Sequence, residues 1–137
     1  MAESLASVLS RLVVVLSLLG WRVVLPALRR VMSLERLLRL TASPRSRSRD
    51  RAREDFTIRA AGRLWRDNEA PCLERSVALH RLLGRGGARP ELVLGMATNH
   101  TGHAWVEIEA HPAGERFDVR DRFVEVTRFS SEGVMVR

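Results

Sequence analysis

The chain has 137 residues, 45% of them hydrophobic, which suits one folded domain with a modest core and is too short for two ordinary ones. Its net charge of +7 comes from arginine alone, since no lysine occurs. That balance favours anionic partners without choosing among nucleic acid, lipid and acidic peptide. A lone cysteine, Cys72, excludes an internal disulfide and fits a reducing cytoplasm.

In chain order, residues 3–24 place Leu5, Val8, Leu9, Leu12, Leu16 and Leu19 at three-and-four spacing, opposite a narrow polar line of Glu3, Ser7, Ser10 and Ser17. That period predicts a helix whose broad apolar face packs on its own domain or docks a partner protein or membrane. Ten residues, 12–21, separate Arg11 from Arg22, whereas a spanning helix needs about 20 apolar ones. No basic residue occurs before Arg11 and no small-residue cleavage site follows the run, so neither a span nor a signal peptide is expected. Gly20 and Pro26 are expected to interrupt the helix. Ser33 is placed to cap a short helix over 34–40, with Leu34, Leu37 and Leu38 inward and Arg36 and Arg39 outward. Residues 41–55 (TASPRSRSRDRARED) lack any large apolar side chain and read as a solvated linker. Without interleaved aromatics they do not suggest a nucleic-acid surface.

A further helix is predicted over 56–65, with Phe56, Ala60, Ala61, Leu64 and Trp65 inward, broken at 67–71. Another runs over 72–83, with Leu73, Val77, Leu79, Leu82 and Leu83 as its apolar set and Gly84, Gly86 and Gly87 ending it. Pro90 opens a strand through Ala97, and 98–102 is a polar turn. Residues 103–110 alternate, with His103, Trp105, Glu107 and Glu109 on one face and Ala104, Val106, Ile108 and Ala110 on the other. That is the pattern of a half-buried strand. Pro112-Ala113-Gly114 reads as the next turn, followed by short strands over 117–119 and 123–126. Helices first and a small antiparallel sheet second make an α+β fold.

Two residues suit nucleophilic chemistry. Cys72 follows a proline at a helix start, where free N–H groups and the positive dipole end stabilise a thiolate and can hold an oxyanion. The bland alternative is a buried cysteine acting as a small hydrophobe. His103, opening its strand, can take the thiol proton and later protonate a leaving amine; unpaired, it would be structural or surface-exposed. Cys72, His100 and His103 lack a fourth ligand at zinc spacing, so no metal and no cofactor is expected.

The segment Pro-Cys-Leu-Glu-Arg-Ser at 71–76, a strand ending Leu-Gly-Met, and Gly-His-Ala-Trp-Val-Glu at 102–107 resemble the transglutaminase-like cysteine peptidases of lasso peptide biosynthesis. The resemblance covers about residues 56–126 and is to the free-standing leader peptidase form. It implies a transglutaminase-like, papain-like core over 51–137 behind a helical N-terminal extension over 1–50 that ends in the arginine and serine linker. It implies a Cys-His-acid triad that removes the leader from a ribosomally synthesised precursor in the cytoplasm. The implied partners are the precursor's leader region, a separate leader-recognition protein docked by the apolar front helices or the arginine-rich surface, and an ATP-dependent cyclase. Neither nucleic acid nor membrane is expected among them.

For the acid, Glu107 is excluded, because four residues along one strand put it about 13 Å from His103. Asp118 is assigned the role, on a strand returning from the turn at 112–114. Glu115 is its rival, reaching His103 only if the turn is tighter and centred near Ala110, and Asp121 is a third candidate. Trp105 is expected to pack rather than touch substrate. Two other functions stay open: acyl transfer to an amine on the same fold, and a non-catalytic basic binding module with a structural cysteine.

Overall fold

The computed structural model describes residues 4–42, 48–65, 72–115 and 117–136. Ser4 caps α1 (Leu5–Val31) by accepting a hydrogen bond from the Ser7 N–H. This helix is longer than expected and continues through Gly20 and Pro26. Pro26 forfeits its own bond to the preceding turn, but it does so on the exposed side. On the other side Leu25 is fully buried and Leu28 packs against the core, and this carries the helix onward. Ser33 caps α2 (Leu34–Thr41) as expected and buries Leu37 and Leu38.

The next helix, α3 (Arg51–Leu64), starts inside the stretch expected to be linker. Asp50 caps it by accepting from the Arg53 N–H, and buried Glu54 takes Arg49 at 2.8 Å. A charged sequence therefore folds here because its charges find partners. Residues 43–47 of that stretch, and the break expected at 67–71, lie outside the described residues. The remaining elements are α4 (Cys72–Arg85), β1 (Glu91–Met96), β2 (Gly102–Ile108), β3 (His111–Ala113), α5 (Val119–Arg122) and β4 (Val124–Phe129). The strands form one sheet ordered β3-β2-β1-β4 with every neighbouring pair antiparallel, so the fold is α+β.

The helices α1, α3 and α4 pack on one another, and α4 lies against β2. Val14, Leu18 and Leu25 of α1 share one apolar core with Leu37, Leu38, Val77, Leu83, Leu92 and Val106, so elements on both sides of residue 50 bury a common surface. The second strand is buried on both faces rather than one. Val106 joins the core against the helices, while Trp105 joins Val93 and Val119 in a second cluster on the opposite face, where Phe117 and Phe123 cover it. Trp105 and Glu107 of the alternating pattern thus face protein, not water, while Glu109 at its end stays exposed.

The hairpin after β2 also departs from expectation. Its turn is centred on Glu109 and Ala110, both with left-handed φ of 52° and 65°, and β3 begins at once, pairing His111 with Ile108. Non-glycine residues in this region are strained. Here Arg120 donates to the Ala110 carbonyl and Arg49 pairs with Glu109, holding the turn from both sides. Pro112 and Ala113, expected in a turn, are in the strand. Residues 117–119 form no strand, since Asp118 instead caps α5 by accepting from the Arg120 N–H.

Gly95 pairs with His103 across the sheet and lies under the Trp105 ring. A Cβ there would sit 2.7 Å from two ring carbons and 3.0 Å from the Val124 carbonyl. Gly95→Ala is expected to cost about 1–3 kcal/mol in denaturant unfolding through overpacking. Gly62→Ala, where a Cβ meets nothing within 4 Å, should instead hold stability level or raise it by up to ~1 kcal/mol. Equal effects at the two positions would contradict the packing described.

Candidate active site

The first residue of α4 is Cys72, half-buried, at a helix start, where the first N–H groups have no partner within the helix. One turn later the buried Ser76 hydroxyl donates to the Ala104 carbonyl at 3.0 Å. That bond fixes the helix against β2 at the residue following His103. The sulfur then lies within hydrogen-bond reach of both the His103 ring and the Ala104 N–H. The two residues singled out for nucleophilic chemistry are brought together, thirty-one positions apart in sequence.

Asp118 is not the third member of this group. Its carboxylate caps α5 and is exposed, and Asp121 is exposed within the same short helix. Glu115 lies against the ring instead, with Oε2 at 3.3 Å from His103 Nε2. The tight turn at Glu109 and Ala110 is the reason: it shortens the hairpin, so the chain beyond Ala113 returns beside the opening of β2. The other oxygen of Glu115 accepts from Arg75 Nη2 at 2.7 Å. With Nε2 turned to the carboxylate, Nδ1 is the nitrogen left for the thiol proton. Glu107 is far from this group in its bonding. It is fully buried and holds Trp105 Nε1 at 3.1 Å, Arg120 at 3.1 Å and Arg128 at 2.9 Å. His100 sits exposed in the turn between β1 and β2.

Aromatic rings box the imidazole. Phe123 stacks on it with centroids 4.9 Å apart, and Phe117 and Trp105 lie at 5.9 and 6.1 Å. These faces restrict the ring's rotation and favour its cationic form. Sequence reasoning missed Arg75, Ser76 and Phe123 as parts of the site. The signal for the first two was present: they stand three and four residues after Cys72 and therefore on its face of the helix.

Charge completes the arrangement. Burial pushes the Cys72 thiol up, but hydrogen bonds from His103 and Ala104, with the positive charges of His103 and Arg75, outweigh it and leave the thiol below its ordinary 9.0. Burial likewise pushes His103 down, yet its bonds to Cys72 and Glu115 and their negative charges raise it from 6.5 to about 9. At neutral pH His103 is thus an imidazolium, and its charge lies beside a thiol whose deprotonation it favours. The stability this pairing gives through His103 is fully present below pH 6.5 and is lost as pH rises through about 9.

The alkylation rate of Cys72 by iodoacetamide should inflect below pH 9.0, and His103→Ala should move the inflection upward. An unchanged inflection would separate the thiol from the ring.

A family model described as the transglutaminase-like superfamily matches residues 15–128. No curated protein and no solved structure matches the chain.

Proposed function

The chain belongs to the transglutaminase-like superfamily, and on that premise we propose that it is a cysteine peptidase that removes the leader from a ribosomally synthesised lasso peptide precursor. The superfamily covers cysteine peptidases and acyl transferases, so a cysteine-centred acyl chemistry is common to both outcomes. The observation that carries the reading is the contact chain from Cys72 at the start of α4, through His103, to Glu115. The lasso precursor as substrate rests on the likeness of residues 71–76 and 102–107 to that peptidase group.

In the proposed reaction the Cys72 thiolate attacks the scissile carbonyl, and the free N–H groups at the start of α4 face the oxyanion. His103, protonated at rest, gives its proton to the leaving amine as the carbon–nitrogen bond breaks, leaving a thioester on Cys72. Deprotonated His103 then takes a proton from water, whose oxygen attacks the thioester and releases the leader carboxylate and the thiol. Glu115 keeps the ring oriented and supports its positive charge whenever it is protonated, in place of Asp118, which caps α5. A leader-recognition protein presents the precursor in the cytoplasm, and the ATP-dependent cyclase takes the freed core.

The test is incubation with a leader-bearing precursor, with and without the recognition protein, followed by mass spectrometry. Two products whose masses sum to precursor plus water mark hydrolysis; a precursor joined to an amine marks acyl transfer. Cys72→Ala should reduce cleavage to background. Glu115→Gln should lower kcat/KM by roughly 10²-fold or more through loss of ring orientation, while Asp118→Asn stays within about 3-fold, its role being a helix cap. Activity retained by Cys72→Ala would instead fit a non-catalytic binding module.

A further inference from the structure

A surface feature left unused by this site is the outer side of α1. Its inner side, Val14, Leu18 and Leu25, is sealed in the core. The outer side is bare: Leu5, Leu9, Leu12, Leu16 and Val23 each keep more than half of their surface in solvent, Leu16 58% and Val23 78%. At 100° per residue these five point within about 60° of one another, so they form a single aliphatic stripe. With their neighbours they expose on the order of 1,000 Å² of apolar surface, roughly twice the largest patch of a typical soluble monomer.

The charges beside the stripe have one sign. The helix carries Arg11, Arg22, Arg29 and Arg30 and no acid. Residues 11, 22 and 29 return to nearly one direction, about 120° round the helix from the middle of the stripe, and form a cationic border along the edge of the buried side. Next to that border runs a groove of about 360 Å³ between α1 and α3, floored by Phe56 and Leu64 and edged by Arg11, Arg59 and Arg63. Arg11 lies over the Phe56 ring at 5.4 Å, and Arg29 is held by Glu74 at 3.1 Å.

We propose that α1 lies in the surface of an anionic lipid bilayer, its aliphatic stripe among the acyl chains and the exposed Arg22, Arg59 and Arg63 on the headgroup phosphates. The helix lies along the surface and does not cross it, because its inner side is already occupied by protein. A second copy of the chain is a poor occupant, since it would bring the same cationic border to meet this one. The stripe is also pure leucine and valine, without the aromatic anchors and polar pairs that fix a protein partner's register. The inference is independent of the peptidase reading.

Vesicle sedimentation of the full chain tests it, using neutral phosphatidylcholine and mixtures containing a quarter phosphatidylglycerol. The chain should pellet with the anionic vesicles, and more weakly as salt rises. Leu12→Glu with Leu16→Glu should remain in the supernatant while its Cys72 alkylation rate, a check on folding, is unchanged. Arg59→Gln and Arg63→Gln should each weaken binding about 5-fold. Binding to neutral and anionic vesicles alike, or no pelleting, overturns the proposal. So does a dimer or a complex with the leader-recognition protein that forms without lipid and is lost in the Leu12, Leu16 variant.

Discussion

The Glu115 carboxylate divides its two oxygens between elements far apart in the chain, one to Arg75 on α4 and one to His103 on β2. Helix and strand are otherwise joined mainly by apolar packing, which is strong but carries little direction. Directed bonds are therefore needed to set the rotation of α4 that aims Cys72 at the ring. The Ser76 bond to the Ala104 carbonyl fixes one point of that rotation, and the Glu115 bridge fixes a second at the adjoining Arg75, about 100° round the helix. A buried carboxylate is tolerable only when paired; here the pairing partners are the groups whose placement matters. Removing the carboxylate would leave two cations facing each other across the gap it now fills.

A second buried carboxylate does the same work on the opposite flank of β2. Glu107 gathers Trp105, Arg120 and Arg128, from the strand itself, α5 and β4. Burial pushes this carboxyl up, but those three hydrogen bonds and the Arg128 charge outweigh it and hold it below its ordinary 4.5. Its stabilisation is present above pH 4.5 and is lost as pH falls through the lowered value. By tying α5 and β4 to the strand, it keeps Phe123 stacked on His103 and Val119 over Trp105. The imidazole is thus confined from behind by aromatic rings and aimed from the side by Glu115.

Much of this was legible in the sequence because it depends on local pattern. Three-and-four spacing located α2 and α4, Ser33 marked its own cap, and alternation found β2. Cys72 and His103 could be paired because each sits at the start of a strongly patterned element. The acid was not legible, for a definite reason. Its position depends on where a hairpin turns, and Glu109-Ala110 has none of the glycine or asparagine that normally marks a left-handed turn. Pro112-Ala113-Gly114, two residues on, carries the conventional signal and lies mostly in strand. The turn is held by Arg49 and Arg120, contacts of 60 and 10 residues' separation that no window of sequence displays. The burial of Trp105 and Glu107 was hidden in the same way, since what covers them comes from α5 and the start of β4.

The first helix shows the converse case, in which sequence period and structure agree and the meaning lies in what remains uncovered. A 27-residue helix that faces a core on one side has no folding reason to be apolar on the other. Exposed leucine and valine bring solubility and aggregation costs, and polar residues on that face would not disturb Leu18 or Leu25. Its inner side is also connected to the chemistry: Arg29 holds Glu74, two residues along α4 from Cys72, and Arg11 rests on Phe56 of α3. Anything that seats the outer stripe would therefore fix the orientation of the helix that carries the sulfur. A surface that positions α1 would position the mouth of the site, and a substrate arriving along that surface would meet it from a constant direction.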